Sequence, residues 1–179
     1  MYRLHLPDAV VEARGVGNGI DTVRIPRMNG DQILEQYRAA LIERPLSHVW
    51  RGHGTAIMVE FGVLTPKLRR DGSPANNPDG ELSLMIERTW RIEHGQRILS
   101  GSSSEDAVID ASLNRLLGKD VLDVTTFGRL PELQVVLSDD LYVVSFAAEA
   151  GGPEWALMDH RASGLPTLIS MGGTVCAEP

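Results

Sequence analysis

Leu82-Ser83-Leu84-Met85-Ile86-Glu87-Arg88-Thr89-Trp90-Arg91-Ile92-Glu93 alternates with a period of two. Leu82, Leu84, Ile86, Trp90 and Ile92 fall on one side, and Ser83, Glu87, Thr89, Arg91 and Glu93 on the other. That is the pattern of a half-buried β-strand. His94-Gly95-Gln96 then turns the chain, and Arg97-Ile98-Leu99-Ser100 returns as a short strand. A hairpin here sets the class, because strand–turn–strand order implies antiparallel pairing.

Outward from this hairpin, Thr55 to Leu64 also has period two. Ile57, Val59, Phe61 and Val63 share one face, and Met58 and Glu60 the other. Residues 65–80 contain Pro66, Pro74 and Pro78, show no periodicity, and read as a long exposed loop. Further strands are expected at Val121 to Thr126, Leu133 to Leu137, Leu141 to Ala148, Glu154 to His160 and Leu165 to Val175, the last broken by Gly172-Gly173. Both faces of Leu141 to Ala148 are largely apolar, which marks a central strand.

Two helices are signalled. Asn29-Gly30-Asp31 precedes Ile33, Leu34, Tyr37 and Leu41 at helical spacing, and Pro45 stops that helix near Arg44. Ser102 and Glu105 have capping-box spacing before Ile109, Leu113, Leu116 and Leu117, and Gly118 follows as a C′ glycine. The expected fold is a single α+β domain over residues 1–179. Seven to nine strands form an antiparallel sheet, strongly bent or in two layers, packed by helices near 31–44 and 104–117. Residues 1–30 form an irregular N-terminal arm. Residues 55–101 and 121–161 each carry a Trp near an acidic residue (Glu87 and Trp90; Glu154 and Trp155), but their unequal spacings argue against a repeat.

The net charge is −7 and uneven: residues 1–100 carry 13 basic and 12 acidic residues, and residues 101–179 carry 4 and 12. A negative C-terminal half repels phosphate backbones and anionic lipid, so nucleic acid and membranes are not expected partners. A basic protein is. No apolar run approaches the ~18 residues of a spanning helix, and the N-terminus lacks the apolar core of a secretory signal. Cys176 is the only cysteine, so neither an internal disulfide nor a cysteine metal cluster is expected. These features point to a cytoplasmic protein.

Chemistry-bearing motifs are sparse. Gly15-x-Gly17-x-Gly19 is followed by Ile20-Asp21-Thr22, which does not begin a helix, so it is read as a turn rather than a phosphate loop. His5, His48, His53, His94 and His160 lack metal-ligand spacing. No Gly-x-Ser-x-Gly elbow occurs. No cofactor is expected. One constellation stands out: if the strands flanking residues 65–80 pair, Met58 and Glu60 lie near Met85 and Glu87, with Arg91 and Arg51 extending that face. Glu60 and Glu87 would then serve as an acid/base pair, with Arg91 orienting an anionic group. A solvated sheet face has the same composition. Trp90 reads as core, and Trp155 as core or as an exposed anchor.

Trp50-Arg51-Gly52-His53-Gly54, Glu60-Phe61-Gly62, Gly80-Glu81, Trp90-Arg91-Ile92-Glu93, Phe127-Gly128-Arg129-Leu130-Pro131-Glu132 and Pro153-Glu154-Trp155-Ala156-Leu157 together resemble a group of small bacterial proteins with no assigned activity. The likeness covers about residues 47–160 and brings no catalytic residue or cofactor. In size, acidity and layout the chain also looks like the immunity proteins that neutralise bacterial toxins. The leading expectation is therefore a non-enzymatic interaction protein, immunity-like, presenting Asp139, Asp140, Glu149 and Trp155 to a basic partner. The alternatives are an enzyme or small-ligand binder using Glu60 and Glu87, and a subunit whose apolar strand face completes a homodimer.

Overall fold

A computed structural model describes residues 29–178. The N-terminal arm and Gly15-x-Gly17-x-Gly19, with His5, lie outside the described residues. Helix α1 (Gly30–Leu41) is followed by strands β1 (Leu46–Arg51), β2 (Ile57–Phe61), β3 (Leu82–Ile86), β4 (Thr89–His94) and β5 (Arg97–Gly101). Helix α2 (Asp106–Leu116) then leads into β6 (Val121–Phe127), β7 (Glu132–Leu137), β8 (Leu141–Phe146), β9 (Pro153–Asp159), β10 (Thr167–Met171) and β11 (Thr174–Glu178). The α+β class and the antiparallel pairing are as expected. The strands number eleven rather than seven to nine, in two open sheets ordered β1-β2-β3-β9-β10-β11 and β5-β4-β8-β7-β6.

The count rose in part because Leu82–Glu93 is two strands. Between Ile86 and Thr89 the chain leaves one sheet and enters the other, anchored where Glu87 N–H donates to the Glu154 carbonyl at 3.0 Å. Leu82, Leu84 and Ile86 face the core from the first sheet, and Trp90 and Ile92 face it from the second. Because the core lies between the sheets, the alternation resumes in the same phase after the crossing, and only Arg88, a charge at an apolar-phase position, marks it. Leu46–Arg51 and Thr174–Glu178 supply further strands.

The connectivity repeats. Residues 30–101 run helix, three-strand meander, then a hairpin in the opposite sheet; residues 106–171 do the same. Strand β4 of the first unit pairs with β8 of the second, and β9 of the second pairs with β3 of the first. Even the tryptophans correspond. Trp90 Nε1–H donates to the Thr55 carbonyl in the β1–β2 turn, and Trp155 Nε1–H to the Pro131 carbonyl in the β6–β7 turn, both at 2.6 Å. The spacings differ because 20 residues link β2 to β3, whereas Ser138-Asp139-Asp140 link β7 to β8.

Each helix closes one open side of the sandwich. Helix α1 packs on β6 and on β10 and β11, and α2 on β1 and β5. Ile33, Leu34, Tyr37 and Leu41 from α1, and Ile109, Leu113 and Leu116 from α2, join one core with both sheets. Asn29 makes the expected cap: its side chain accepts from Gln32 N–H, whose own side chain accepts from Asn29 N–H. Helix α1 ends at Leu41, not Arg44, because residues 43–46 pair with 118–121: Glu43 N–H donates to the Val121 carbonyl and Val121 N–H to that of Arg44. The capping box at α2 does not form. Glu105 is the N-cap without a side-chain bond, and Ser104 Oγ instead accepts from Gly101 N–H. Gly118 does follow α2 with φ +74°, a left-handed conformation that suits glycine.

The tryptophans give a test. Nε1 of Trp50 is buried with no hydrogen-bond partner. Trp90→Phe and Trp155→Phe each lose a buried bond and leave a void, costing about 2–4 kcal/mol. Trp50→Phe loses no such bond and costs less than either, as urea unfolding midpoints will show.

Candidate functional site

Strands β2 and β3 pair as a hairpin across the long connection, as the sequence suggested. Glu60 sits opposite Ser83, and Met58 opposite Met85. Glu87 lies four positions past Ser83, in the crossing to β4, which puts it roughly 13 Å farther along at ~3.3 Å per residue. Arg91 is on the outer face of the other sheet, over the Phe146 ring at 4.5 Å and paired with Glu93. The Glu60/Glu87/Arg91 constellation is therefore not assembled at one place.

Glu60 has different company. It is 1% exposed, as is Ser83. Its Oε2 accepts from Gly80 N–H at 2.9 Å and from the Ser83 hydroxyl. Ser83 Oγ in turn lies 2.8 Å from Nε2 of the exposed His160. A serine has one hydroxyl proton, and here it is given to Glu60. Nε2–H of His160 is then the donor to Ser83 Oγ. Ser83 is buried, so it has no access to a substrate and is not placed to act as a nucleophile.

What the network does is fix a backbone. Between Phe61 and Leu82, the chain that reads as an aperiodic loop is a two-legged ribbon. Thr65 N–H and Asp79 N–H donate to each other's carbonyls at 2.7 and 3.0 Å, Ala75 N–H donates to Lys67 and Arg69 N–H to Ser73. Pro66, Pro74 and Pro78 remove donors from the ladder, which is why no regular strand extends along it. Side chains tie the legs further: Lys67 to Asp79 at 2.9 Å, Arg69 to Asn76 at 2.7 Å, and His48 Nε2 to Asn77 at 3.1 Å.

Two carboxylates clamp the root. Glu60 holds the descending leg through Gly80 N–H. Glu81 holds the ascending leg through Val63 N–H at 3.1 Å, and also takes a bond from Arg44 Nη1 at 2.8 Å. The fit at the root requires glycine, since a Cβ at Gly80 would lie 2.7 and 2.8 Å from the Phe61 backbone O and N. Beyond this clamp the ribbon is solvent-exposed, and Val63, Leu64 and Leu68 are 71%, 37% and 65% exposed.

The acidic residues expected to form a docking surface are dispersed. Asp139 and Asp140 form the β7–β8 turn, both with positive φ. Asp139 pairs with Lys119 at 2.5 Å, which lowers its pKa, and Asp140 accepts from Tyr142 OH at 2.7 Å. Glu149 lies beyond the other end of β8 and pairs with Arg88. Trp155 is 0% exposed and belongs to the core, so it is not a surface anchor. Cavities of about 420 and 380 Å³ lie beside the start of α1 and beside α2, away from Glu60 and Glu87. Among the described residues, no three or more His, Cys, Asp or Glu cluster as metal ligands, and no helix is long and apolar enough to cross a membrane.

The fold and site thus define a two-sheet α+β sandwich carrying a clamped β-ribbon. No family model, curated protein or solved structure matches the chain.

Beside the root, Asp159 organises the next loop. Its carboxylate accepts from Arg161 Nε and Nη2 at 2.8 and 2.5 Å, and from the Arg161 and Leu165 N–H groups at 3.0 Å. Burial alone would raise its pKa, but these bonds outweigh burial and bring it down to about 2. An unfolded aspartate titrates near ~3.9. Asp159 therefore stabilises the fold fully above about pH 4, and that contribution is lost as pH falls toward 2. Asp159→Asn should be less stable at neutral pH, and between pH 4 and 2 its urea midpoint should fall less steeply than that of the unmodified protein.

Proposed function

We propose that this is a non-enzymatic interaction protein, of the immunity type that its size, acidity and layout resemble, and that the ribbon between β2 and β3 is its contact element. One observation carries this reading: the ribbon is hydrogen-bonded at its root and across its legs, yet it displays Val63, Leu64 and Leu68 to solvent. An exposed apolar ridge on a pre-ordered scaffold gains affinity because little freedom remains to be lost on binding.

Charge supports a basic protein as the partner. Residues 65–80 carry Lys67, Arg69 and Arg70 against Asp71 and Asp79, for +1, so the rest of the −7 chain carries −8. A nearly neutral apolar ridge on a strongly negative body steers a basic surface toward contact while leaving the contact itself to apolar packing. Asp139, Asp140 and Glu149 contribute to this field from separate places rather than as one patch.

Capture of binding proteins from the host lysate at low salt is the test. Leu68→Glu should abolish retention of a basic protein that the unmodified chain retains and that salt elutes. Leu122→Glu, which alters an exposed leucine on β6, should leave it unchanged. Equal retention by both variants contradicts the reading.

A further inference from the structure

The two sheets have equivalent connectivity but unlike outer faces. Across the six-stranded sheet, one row of paired residues runs Trp50, Met58, Met85, Ala156, Ile169, Cys176. Met158 and Met171 lie on the same face by the alternation of β9 and β10. The four methionines among the described residues thus all lie here, and no charged side chain interrupts the row. Glu60 and Glu154, flanking it, are buried and hydrogen-bonded, and the exposed Glu178 stands at the edge of the face, at the end of β11. On the five-stranded sheet the matching face sets Arg91 and Glu93 on β4, Gln134 on β7 and Asp123 on β6 among Val136, Tyr142, Val144 and Phe146. Charged side chains interrupt that second face; the first has the methionine and tryptophan content and the charge depletion of an interface core.

We propose that the outer face of the six-stranded sheet is the interface of a homodimer, packed sheet against sheet on a second copy of this chain. A row without charge gives a foreign charged partner nothing to pair with. Two copies of a −7 chain repel each other, and a row free of charge is where they approach at least cost. A two-fold axis needs a self-complementary patch, and flexible methionines meet that need because they repack against one another. The size is sufficient. Six strands of five to seven residues, about 4.8 Å apart at ~3.3 Å per residue, cover roughly 500 Å² in plan per copy. With side-chain relief added, a pair of copies buries more than about 1,000 Å², the lower bound for a specific interface. The ribbon rises from the ends of β2 and β3 and remains exposed, so this proposal does not depend on the function proposed for it.

Sedimentation of the full chain over a roughly hundredfold concentration range tests this, since dimerisation follows mass action. The expected mass is twice 19.5 kDa. Met85→Lys, at the centre of the row, should weaken the dimer by at least about a hundredfold because it buries an unpaired charge. Ile98→Lys, on the exposed edge of the other sheet, should leave it intact. Circular dichroism establishes that each variant is folded. If Met85→Lys does not fold, Met85→Cys in a Cys176→Ser background takes its place. A residue near the two-fold axis meets its own copy, so a short bismaleimide should join two chains of that variant. It should not join two chains of Ile98→Cys in the same background. A protein that stays at 19.5 kDa throughout, a dimer that survives Met85→Lys, or a dimer that forms only once residues 1–28 are removed would each overturn the proposal.

Discussion

Glu60 lies on the outer side of a sheet, where a long acidic side chain would ordinarily extend into water, yet it is almost completely buried. Burying a carboxylate is costly unless donors surround it. Gly80 N–H and the Ser83 hydroxyl are those donors, and His160 completes the chain from Ser83 to the surface. The position of the ribbon follows from this, because Gly80 must come down onto Glu60. Glu81, one residue on, is then placed to take Val63 N–H and Arg44.

The sandwich beneath the ribbon is built by the same logic twice. A helix seals one open side, three strands run as a meander, and a hairpin crosses to the opposite sheet. The two units diverge where the repeated plan leaves them free to do so. Where the second has the three-residue turn Ser138-Asp139-Asp140, the first has the ribbon. Where the second sheet turns charge outward, the first turns methionine outward. Differences placed at equivalent positions of a repeated scaffold are where function is most economically sought, since the scaffold itself requires none of them.

Most local features read correctly from the sequence, the α2 capping box and the end of α1 excepted. Asn29 with Ile33, Leu34, Tyr37 and Leu41 marks α1; Gly95, Ser138 to Asp140 and Gly172-Gly173 mark hairpins; and the apolar strand at Leu141 is central, as both its faces implied. What stayed hidden depended on distance or on phase. The crossing at Glu87-Arg88 preserves the phase of Leu82–Glu93 and leaves only Arg88, a charge at an apolar-phase position, as its trace. The ribbon lacks periodicity because its prolines interrupt the ladder. Glu60 was singled out, but its partners come from positions 80, 83 and 160, and no spacing rule joins them. Met58 and Met85 were read beside two glutamates as a solvated face; only the order of all six strands aligns them with Trp50, Ala156 and Ile169.

Amide hydrogen exchange at the ribbon root tests the central claim, that a buried carboxylate holds an exposed element rigid. The account predicts strong protection of Gly80 N–H, with Val63 and Asp79 N–H also slowed, while the exposed Asp71 amide at the tip exchanges freely. Exchange of Gly80 at the rate of Asp71 would contradict it, because the ribbon would then be a flexible loop and not a pre-ordered contact element.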